Sequence, residues 1–228
     1  FYCEFAQMLL RVVTQNLWFD SHQREARMQA HAAHWQVALP DIIAVQEATL
    51  ACLRALLPLV SNFHSTVSLE SSAQWQGVAV FSRHKPEQVE MLPLPGEMGR
   101  RLLRVRWEGL ELGVVHLEST ASAGPTRAAQ LAAVFSRLTG PDSLLVGDFN
   151  FCSTSAENSQ LPSDYTDLWP ALHPGEPGWT LDPQANPLLK GSRQARYDRM
   201  LLRSSNWRCR SLELSRSGGS DHFGLIGE

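Results

Sequence analysis

Five apolar, strand-like runs in this sequence each lead to a residue able to do chemistry, and any fold must place those residues somewhere. Leu9–Thr14 runs into Gln15-Asn16, Asp41–Val45 runs into Gln46-Glu47, and "LGVVHLEST" carries His116 within it. "LLVGDFNF" delivers Asp148 and Asn150, and Asp221-His222 precede the last apolar run. Turn chemistry accounts for an Asp or an Asn at a strand end. It does not account for Glu47, a poor turn former after "IIAVQ", or for a histidine inside a strand. Ends of neighbouring strands lie about 5 Å apart across a sheet, so residues of this kind can converge on one pocket. Residues two apart in an extended segment share a side. Asp148 and Asn150 are therefore expected on one face, with Phe149 turned into the opposite layer.

The converging set holds carboxylates (Glu47, Asp148, Asp221), amides (Asn16, Asn150) and imidazoles (His116, His222), with no cysteine. Oxygen-rich sites of this sort suit Mg²⁺, with Mn²⁺ able to substitute, rather than zinc. Neutral amides and imidazoles among carboxylates suit an anionic substrate whose remaining oxygens need hydrogen-bond donors.

The rest of the chain frames that set. A length of 228 residues with 43% hydrophobic and 19% charged residues fits one domain, residues 1–228, with a substantial core. No repeat or low-complexity linker divides it. No apolar run approaches the roughly 20 residues that cross a bilayer, so no membrane partner is expected. The start at Phe1 reads as a trimmed or processed terminus without targeting information. Cys3, Cys52, Cys152 and Cys209 are scattered without a C-x-x-C pair, which fits a reducing, intracellular compartment. The net charge of −3 excludes a general polyanion binder. Nucleic-acid contacts would need local patches, such as Arg100, Arg101, Arg104 and Arg106, or Arg193, Arg196 and Arg199.

Periodicity predicts a helix capped by Asp20 or Ser21 and running to about Leu39, with Ala26, Ala30, Ala33 and Val37 as its apolar stripe. Further helices are expected over roughly Leu50–Leu57 and Thr126–Leu138. Strand character is found at Ser65–Leu69, Gly77–Arg83, Leu102–Trp107, Leu110–Leu117, Trp179–Leu181, Arg196–Leu202, Cys209–Leu214 and His222–Ile226. Glu108-Gly109 makes a tight hairpin. This mixture indicates an α/β layered fold rather than a pure parallel sheet. His31 and His34, three apart on the first helix, are expected in surface or packing roles, and Cys152 as a small filler. Trp18, Trp75 and Trp179 serve either packing or stacking on a base or aromatic group.

"TQN" at 14–16, "VQE" at 45–47, "GDFN" at 147–150 and "SDH" at 220–222 resemble, in order and spacing, the signatures of the endonuclease/exonuclease/phosphatase superfamily. Within it "HLEST" at 116–120, followed by Arg127 and Gln130, is similar to the tyrosyl-DNA phosphodiesterase branch, as are "TLDPQAN" at 180–186 and "RYDRMLL" at 196–202. The resemblance spans about Val12 to Leu225. It implies a DNase I-like, four-layer α/β/β/α sandwich of two mostly antiparallel sheets flanked by helices, with the site at one open edge.

The resemblance also implies roles. Glu47 holds Mg²⁺ with Asn16 beside it. Asp148 orients or deprotonates the attacking water, and Asn150 positions that carboxylate and the phosphate. His116 and His222 donate to phosphate oxygens, and Asp221 orients His222 or approaches the metal. From the residues themselves, the Ser119 and Thr120 hydroxyls can grip a terminal phosphate, Trp75 or Trp179 can flank an aromatic or base plane, and Arg127 is a further expected substrate contact. Two positions depart from the pattern: Gln15 replaces the Trp usual before the first Asn, and Cys152 stands where many relatives carry a basic residue that meets the DNA backbone. The activity implied is Mg²⁺-dependent hydrolysis of a phosphodiester at a DNA 5′ end, releasing a 5′-tyrosyl adduct from single-stranded or frayed ends, by a monomer. Alternatives are another chemistry of the superfamily (abasic-site cleavage, deadenylation, lipid or inositol phosphate hydrolysis) or a non-catalytic scaffold with the same fold.

Overall fold

Runs of Val, Ile and Leu without polar alternation form strands covered on both faces, and that is what the computed structural model of the protein contains. It describes residues 9–69 and 77–228, so Cys3 and Trp75 lie outside the described residues. The first half comprises β1 (Val12–Asn16), α1 (Arg24–Ala38), β2 (Ile42–Ala48), α2 (Leu50–Leu56), β3 (His64–Ser65) and β4 (Gly77–Ser82). Then come β5 (Gln88–Pro93), β6 (Arg101–Trp107), β7 (Leu110–His116), α3 (Gly124–Phe135) and β8 (Ser143–Asp148). The chain continues through β9 (Thr166–Asp167), α4 (Leu168–Leu172), β10 (Asp198–Arg203), β11 (Leu212–Ser215) and β12 (Gly224–Gly227).

The strands form two six-stranded sheets, ordered β11-β12-β1-β2-β4-β3 and β5-β6-β7-β8-β10-β9. Each contains one parallel pair, β1 with β2 and β7 with β8, and is otherwise antiparallel. Both sheets are therefore mixed. Inner faces meet in a core built from Val12, Ile42, Ala44 and Val80 against Leu112, Val114, Leu144 and Val146. The outer face of the first sheet packs on α1 and α2 through Ile43, Val45, Met28, Trp35 and Leu53. The outer face of the second packs on α3 through Val115, Leu145, Leu131 and Val134. The order helix, sheet, sheet, helix is the four-layer sandwich expected from the motifs. Among the described residues no helix is long and apolar enough to cross a membrane.

Several local expectations differ. The small-residue stripe of α1 faces outward, and Val37 is 83% exposed. The face that packs is Arg27, Met28, His31, Ala32 and Trp35, where larger side chains fill more of the gap to the sheet. Neither Asp20 nor Ser21 caps α1: its N-cap is Gln23, left-handed at φ 44°. Asp20 closes a turn instead, its Oδ1 accepting from the His22 N–H at 2.7 Å. The strand expected over Ser65–Leu69 stops at Ser65, whose Oγ accepts from the Val67 N–H in a local turn that competes with the ladder. Trp179–Leu181 contributes only the bridge Leu181–Ala195. β5 escapes the apolar pattern because it is an edge strand with a solvated face. His31 takes a packing role, fully buried and stacked on Trp35 at 5.5 Å.

Candidate active site

The two parallel pairs put strand ends on the same edge. Asn16 pairs with Gln46 at the end of β1–β2, and His116 pairs with Asp148 at the end of β7–β8. β10 runs antiparallel to β8, so its first residue, Asp198, stands opposite Asp148. Register alone therefore places Asp148 between His116 and Asp198.

Glu47 reaches this edge through an irregularity. The β2–β4 register shifts between Gln46 and Ala48, and Glu47 is the extra residue, left-handed at φ 56°. Such a conformation is strained for a residue with a Cβ and persists where surrounding contacts enforce it. Here the Phe19 N–H donates to Glu47 Oε2 at 2.6 Å and Asn16 Nδ2 donates to Oε1 at 3.3 Å. Asn16 Oδ1 accepts from the Trp18 N–H at 2.9 Å, and its Nδ2 also donates to Asp148 Oδ2 at 3.1 Å. Asn16 thus ties the Glu47 corner to Asp148.

β8 ends in a tight approach to β7. Gly147 has φ 134°, and a Cβ there would stand 2.0 Å from the Val115 carbonyl oxygen. Beyond it, Asp148 and Asn150 do not share a strand face. Asn150 is left-handed at φ 55°, its N–H donates to Asp148 Oδ1 at 2.8 Å, and its Nδ2 donates to the Leu117 carbonyl at 2.9 Å. The turn, not strand alternation, joins the two residues. Asn150 positions the carboxylate with its main chain and braces the HLEST turn with its amide. Phe149 enters the opposite layer, buried with Val115, Leu117 and Leu131.

Two histidines flank Asp148 with contrasting surroundings. His116 Nδ1 accepts from Arg100 Nη1 at 2.9 Å, because a guanidinium can only donate. His116 Nε2 is 3.5 Å from Asp148 Oδ2. Burial pushes His116 down to about 3, with Asp148 opposing and the Arg100 and His222 charges reinforcing the drop. It is therefore a neutral Nε2–H donor. His222 Nδ1 bonds Asp198 Oδ2 at 2.8 Å and lies 4.0 Å from Asp148 Oδ2. Burial alone would lower it, but the Asp198 charge and hydrogen bond, joined by Asp148 and Asp221, raise it to about 10. His222 is an imidazolium across the neutral range.

Burial raises Glu47, opposed by the Phe19 and Asn16 hydrogen bonds and reinforced by Asp221 and Asp148. Burial also raises Asp221, opposed by His222 and Ser220 and reinforced by Asp148. Carboxylates raised by burial near one another are what a bound cation relieves. Asp148, Asp198 and His222 offer ligand atoms within 4.8 Å of one another, a spacing that admits a cation. However, His222 Nδ1 is already engaged by Asp198, so the trio reads more naturally as a histidine held between two carboxylates. The Glu47 corner, with Asn16 beside it, suits Mg²⁺ better, since that ion binds through one or two carboxylates and keeps several waters.

Asp198 is the residue that strand-end reasoning passes over. It is fully buried and held by the Thr180 side chain, whose Oγ1 accepts from the Tyr197 and Asp198 N–H groups at 3.1 Å each. Asp198, not Asp221, is the hydrogen-bond partner of His222. Asp221 accepts from Ser220 Oγ at 3.3 Å. "TLDPQAN" is explained too: Thr180 supports Asp198, and Asn186 Nδ2 donates to the Ser220 carbonyl at 2.9 Å, bracing the SDH turn. Gln15 Nε2 bridges the carbonyls of Asn16 and His222 at 2.8 and 3.1 Å.

Arg127, expected to contact substrate, has its donors taken up inside the fold. It is buried, pairs with Glu157 Oε1 at 2.6 Å and donates to the carbonyls of Glu118 and Thr120, so it builds the HLEST turn from behind. Glu118 accepts from the N–H groups of Glu97 and Met98, fixing the loop that leads to Arg100. Ser119 and Thr120 remain on the accessible turn, Ser119 Oγ against Met98 Sδ at 3.1 Å. Trp179 is 37% exposed, next in chain to Thr180. Of the basic patches, Arg104 pairs with Glu90, Arg196 pairs with Asp167, and Arg199 is buried against Phe151. Arg100 donates to a site residue, His116.

An edge carrying this carboxylate corner and two oriented histidines, on a sandwich of two mixed sheets, defines a hydrolase fold for phosphate esters. The Endonuclease/Exonuclease/phosphatase family pattern matches residues 13–222, and the chain belongs to that family. Among solved structures it is similar to a humanized Danio rerio TDP2 carrying 14 mutations, at 24% identity, covering 96% of this chain and 97% of that one with a TM-score of 0.82. D. rerio TDP2 complexed with a single-strand DNA product gives 23% identity, the same coverage and a TM-score of 0.83. Sphingomyelinase C from Streptomyces griseocarneus gives 19% identity, 96% and 98% coverage, and a TM-score of 0.74. At these identities the likenesses show the fold. Among curated proteins none matches the sequence.

Proposed function

We propose that the protein is a Mg²⁺-dependent phosphodiesterase that hydrolyses a phosphodiester at a DNA 5′ end and releases a 5′-linked tyrosine, in the manner of tyrosyl-DNA phosphodiesterase 2. The observation that carries the chemistry is Asp148 held by Asn16 and Asn150 between a neutral histidine donor and an imidazolium. The likeness to a TDP2 bound to a single-strand DNA product supports the choice of substrate.

Glu47, assisted by Asn16 and with Asp221 close by, would hold the cation, which would supply charge neutralisation at the phosphate. Asp148 accepts a proton from the attacking water as its oxygen bonds to phosphorus. The bond from phosphorus to the tyrosyl oxygen breaks in line with it. His116 Nε2–H and the His222 imidazolium donate to phosphate oxygens, where negative charge builds. A phenol leaves readily because its pKa is only about 10, so the site needs little leaving-group acid. Ser119 and Thr120 border the terminal phosphate, and Trp179 flanks an aromatic or base plane. We further propose that residues 1–228 act as one catalytic domain and as a monomer, which sedimentation tests.

A turnover panel with Mg²⁺ tests the reading. It compares 5′-tyrosyl DNA, 3′-tyrosyl DNA, abasic duplex, poly(A), sphingomyelin and p-nitrophenyl thymidine phosphate. Fastest release from 5′-tyrosyl DNA is expected. Faster cleavage of 3′-tyrosyl DNA, or turnover confined to the lipid or the abasic site, refutes the substrate. No turnover on any substrate refutes the activity.

A further inference from the structure

Two loops of the candidate site meet on one side chain that the chemistry above does not use. Arg27 lies on the buried face of α1 and is 3% exposed. A buried cation is costly unless it is paired or fully hydrogen-bonded. No carboxylate among the described residues forms an ion pair with Arg27. Main-chain carbonyls surround it instead. Nε donates to His22 at 2.8 Å, and Nη2 donates to Trp18 at 3.0 Å and Asp20 at 2.6 Å. Nη1 donates to Leu17 at 2.9 Å, Trp18 at 3.0 Å and Gly219 at 3.1 Å. The guanidinium also stacks over the Trp18 ring at 4.6 Å.

Those carbonyls belong to two segments far apart in sequence. Residues 17–22 follow Asn16, and their N–H groups at Trp18 and Phe19 orient Asn16 Oδ1 and Glu47 Oε2. Gly219 opens the turn whose Ser220 Oγ accepts from the His222 N–H at 3.1 Å and donates to Asp221. The second segment lies directly on α1. A Cβ on Gly219 would stand 2.6 Å from the Arg27 carbonyl oxygen and 2.7 Å from the His31 ring. Two residues before Gly219, Ser217 Oγ bonds His31 Nδ1 at 2.8 Å. A planar fork with five N–H groups can hold both segments at once, whereas an ammonium with three donors on a flexible stem cannot fix the same plane.

We propose that Arg27 is a positioning residue, which locks the loop orienting Asn16 and Glu47 to the turn carrying Asp221 and His222. The cation corner and the histidine corner then keep one geometry. The inference rests on the phosphodiesterase reading for its kinetic consequence but not for its structural one, and the test separates the two. Arg27→Met keeps the stem and removes every donor, and Arg27→Lys keeps the charge.

Amide hydrogen exchange and Mg²⁺-dependent turnover of p-nitrophenyl thymidine phosphate are measured on both variants and the wild type. In Arg27→Met, residues 17–22 and 219–222 are expected to exchange faster together, with β8 and α3 unchanged. kcat per folded molecule should fall about 10- to 100-fold, the loss typical when a group supporting metal-site ligands is removed. KM should stay within about threefold, since Arg27 meets no substrate, and Arg27→Lys should recover part of kcat. Faster exchange in only one segment, or kcat per folded molecule within about twofold of wild type, overturns the proposal. If Arg27→Met does not fold, the same readouts on Arg27→Lys decide. If the wild type turns over nothing, the phosphodiesterase reading fails and the exchange result alone judges Arg27.

Discussion

Replacing Asp198 by Asn tests whether the buried acid or the neighbouring Asp221 governs His222. Asn keeps the size of the side chain, and its Oδ1 can still accept from the His222 Nδ1–H. The variant therefore removes charge while leaving the ring held. In the wild type the folded-state value of His222 is about 10 against an ordinary 6.5. Between those values the folded protein binds a proton that the unfolded chain does not. The stabilisation is complete below about pH 6.5 and is lost as pH rises through 10, so stability falls across that window by up to about 1.4 kcal/mol per pH unit. In Asp198→Asn this slope should flatten, because Asp148 at 4.0 Å and Asp221 are weaker partners than a carboxylate at 2.8 Å. The alkaline limb of kcat should move from near pH 10 towards the ordinary histidine range. At pH 8 turnover should drop by at least about 10²-fold, the lower range for a positioned proton-bearing group. Urea unfolding between pH 6 and 10, beside a pH–rate profile, measures both effects. If slope and alkaline limb match the wild type while Asp221→Asn shifts them, Asp198 is only a packing residue and the reasoning is wrong.

Other consequences are simpler to read. Glu47→Ala should abolish turnover by weakening Mg²⁺, and calorimetric titration should show the lost affinity; undiminished binding removes Glu47 from the metal corner. Gly147→Ala should destabilise by more than about 4 kcal/mol, the class reserved for severe clashes, because its Cβ would stand 2.0 Å from main chain that cannot swing away. A thermal midpoint within a few degrees of wild type would contradict that. Arg127→Met should cost about 3–5 kcal/mol of stability by leaving Glu157 buried without its cation. Its KM for DNA should be unchanged, and a raised KM at wild-type stability would return Arg127 to the substrate.

What the sequence makes legible here is whatever the backbone period enforces. Val12–Asn16, Ile42–Ala48, Leu110–His116 and Ser143–Asp148 can only be buried strands, and two parallel pairings bring their C-terminal ends to one edge. Asn16, His116 and Asp148 follow from that, whereas Glu47 turns onto the edge only through the irregularity near the end of β2. Residues that reach the same edge by another rule stay hidden. Asp198 begins its strand, and only the antiparallel pairing of β10 with β8 shows that a beginning belongs beside those ends. Asn150 looks like a strand-face partner of Asp148 because period 2 says so, yet its left-handed backbone makes it a turn. The Gly-Asp-x-Asn composition is itself a turn signal, since Asn is depleted in strands and tolerates the left-handed region, and that signal outweighs the period-2 reading.

The arginines show the deeper reason for the remaining misses. In the sequence Arg196 stands in a basic patch, Arg127 follows the HLEST motif, and Arg27 is one more charge on the first helix. Each is buried with at least one partner supplied from 29 or more residues away: Glu157 for Arg127, Asp167 for Arg196 and Gly219 for Arg27. A guanidinium is costly to bury only until its donors are filled, and what fills them is set by tertiary packing. Composition therefore cannot separate a phosphate-binding arginine from one that builds the loop beside the phosphate. Contacts do separate their settings: among the described residues Arg100 donates to His116, its Nε is buried without a hydrogen-bond partner, and its Nη2 meets Met98 Sδ at 3.6 Å.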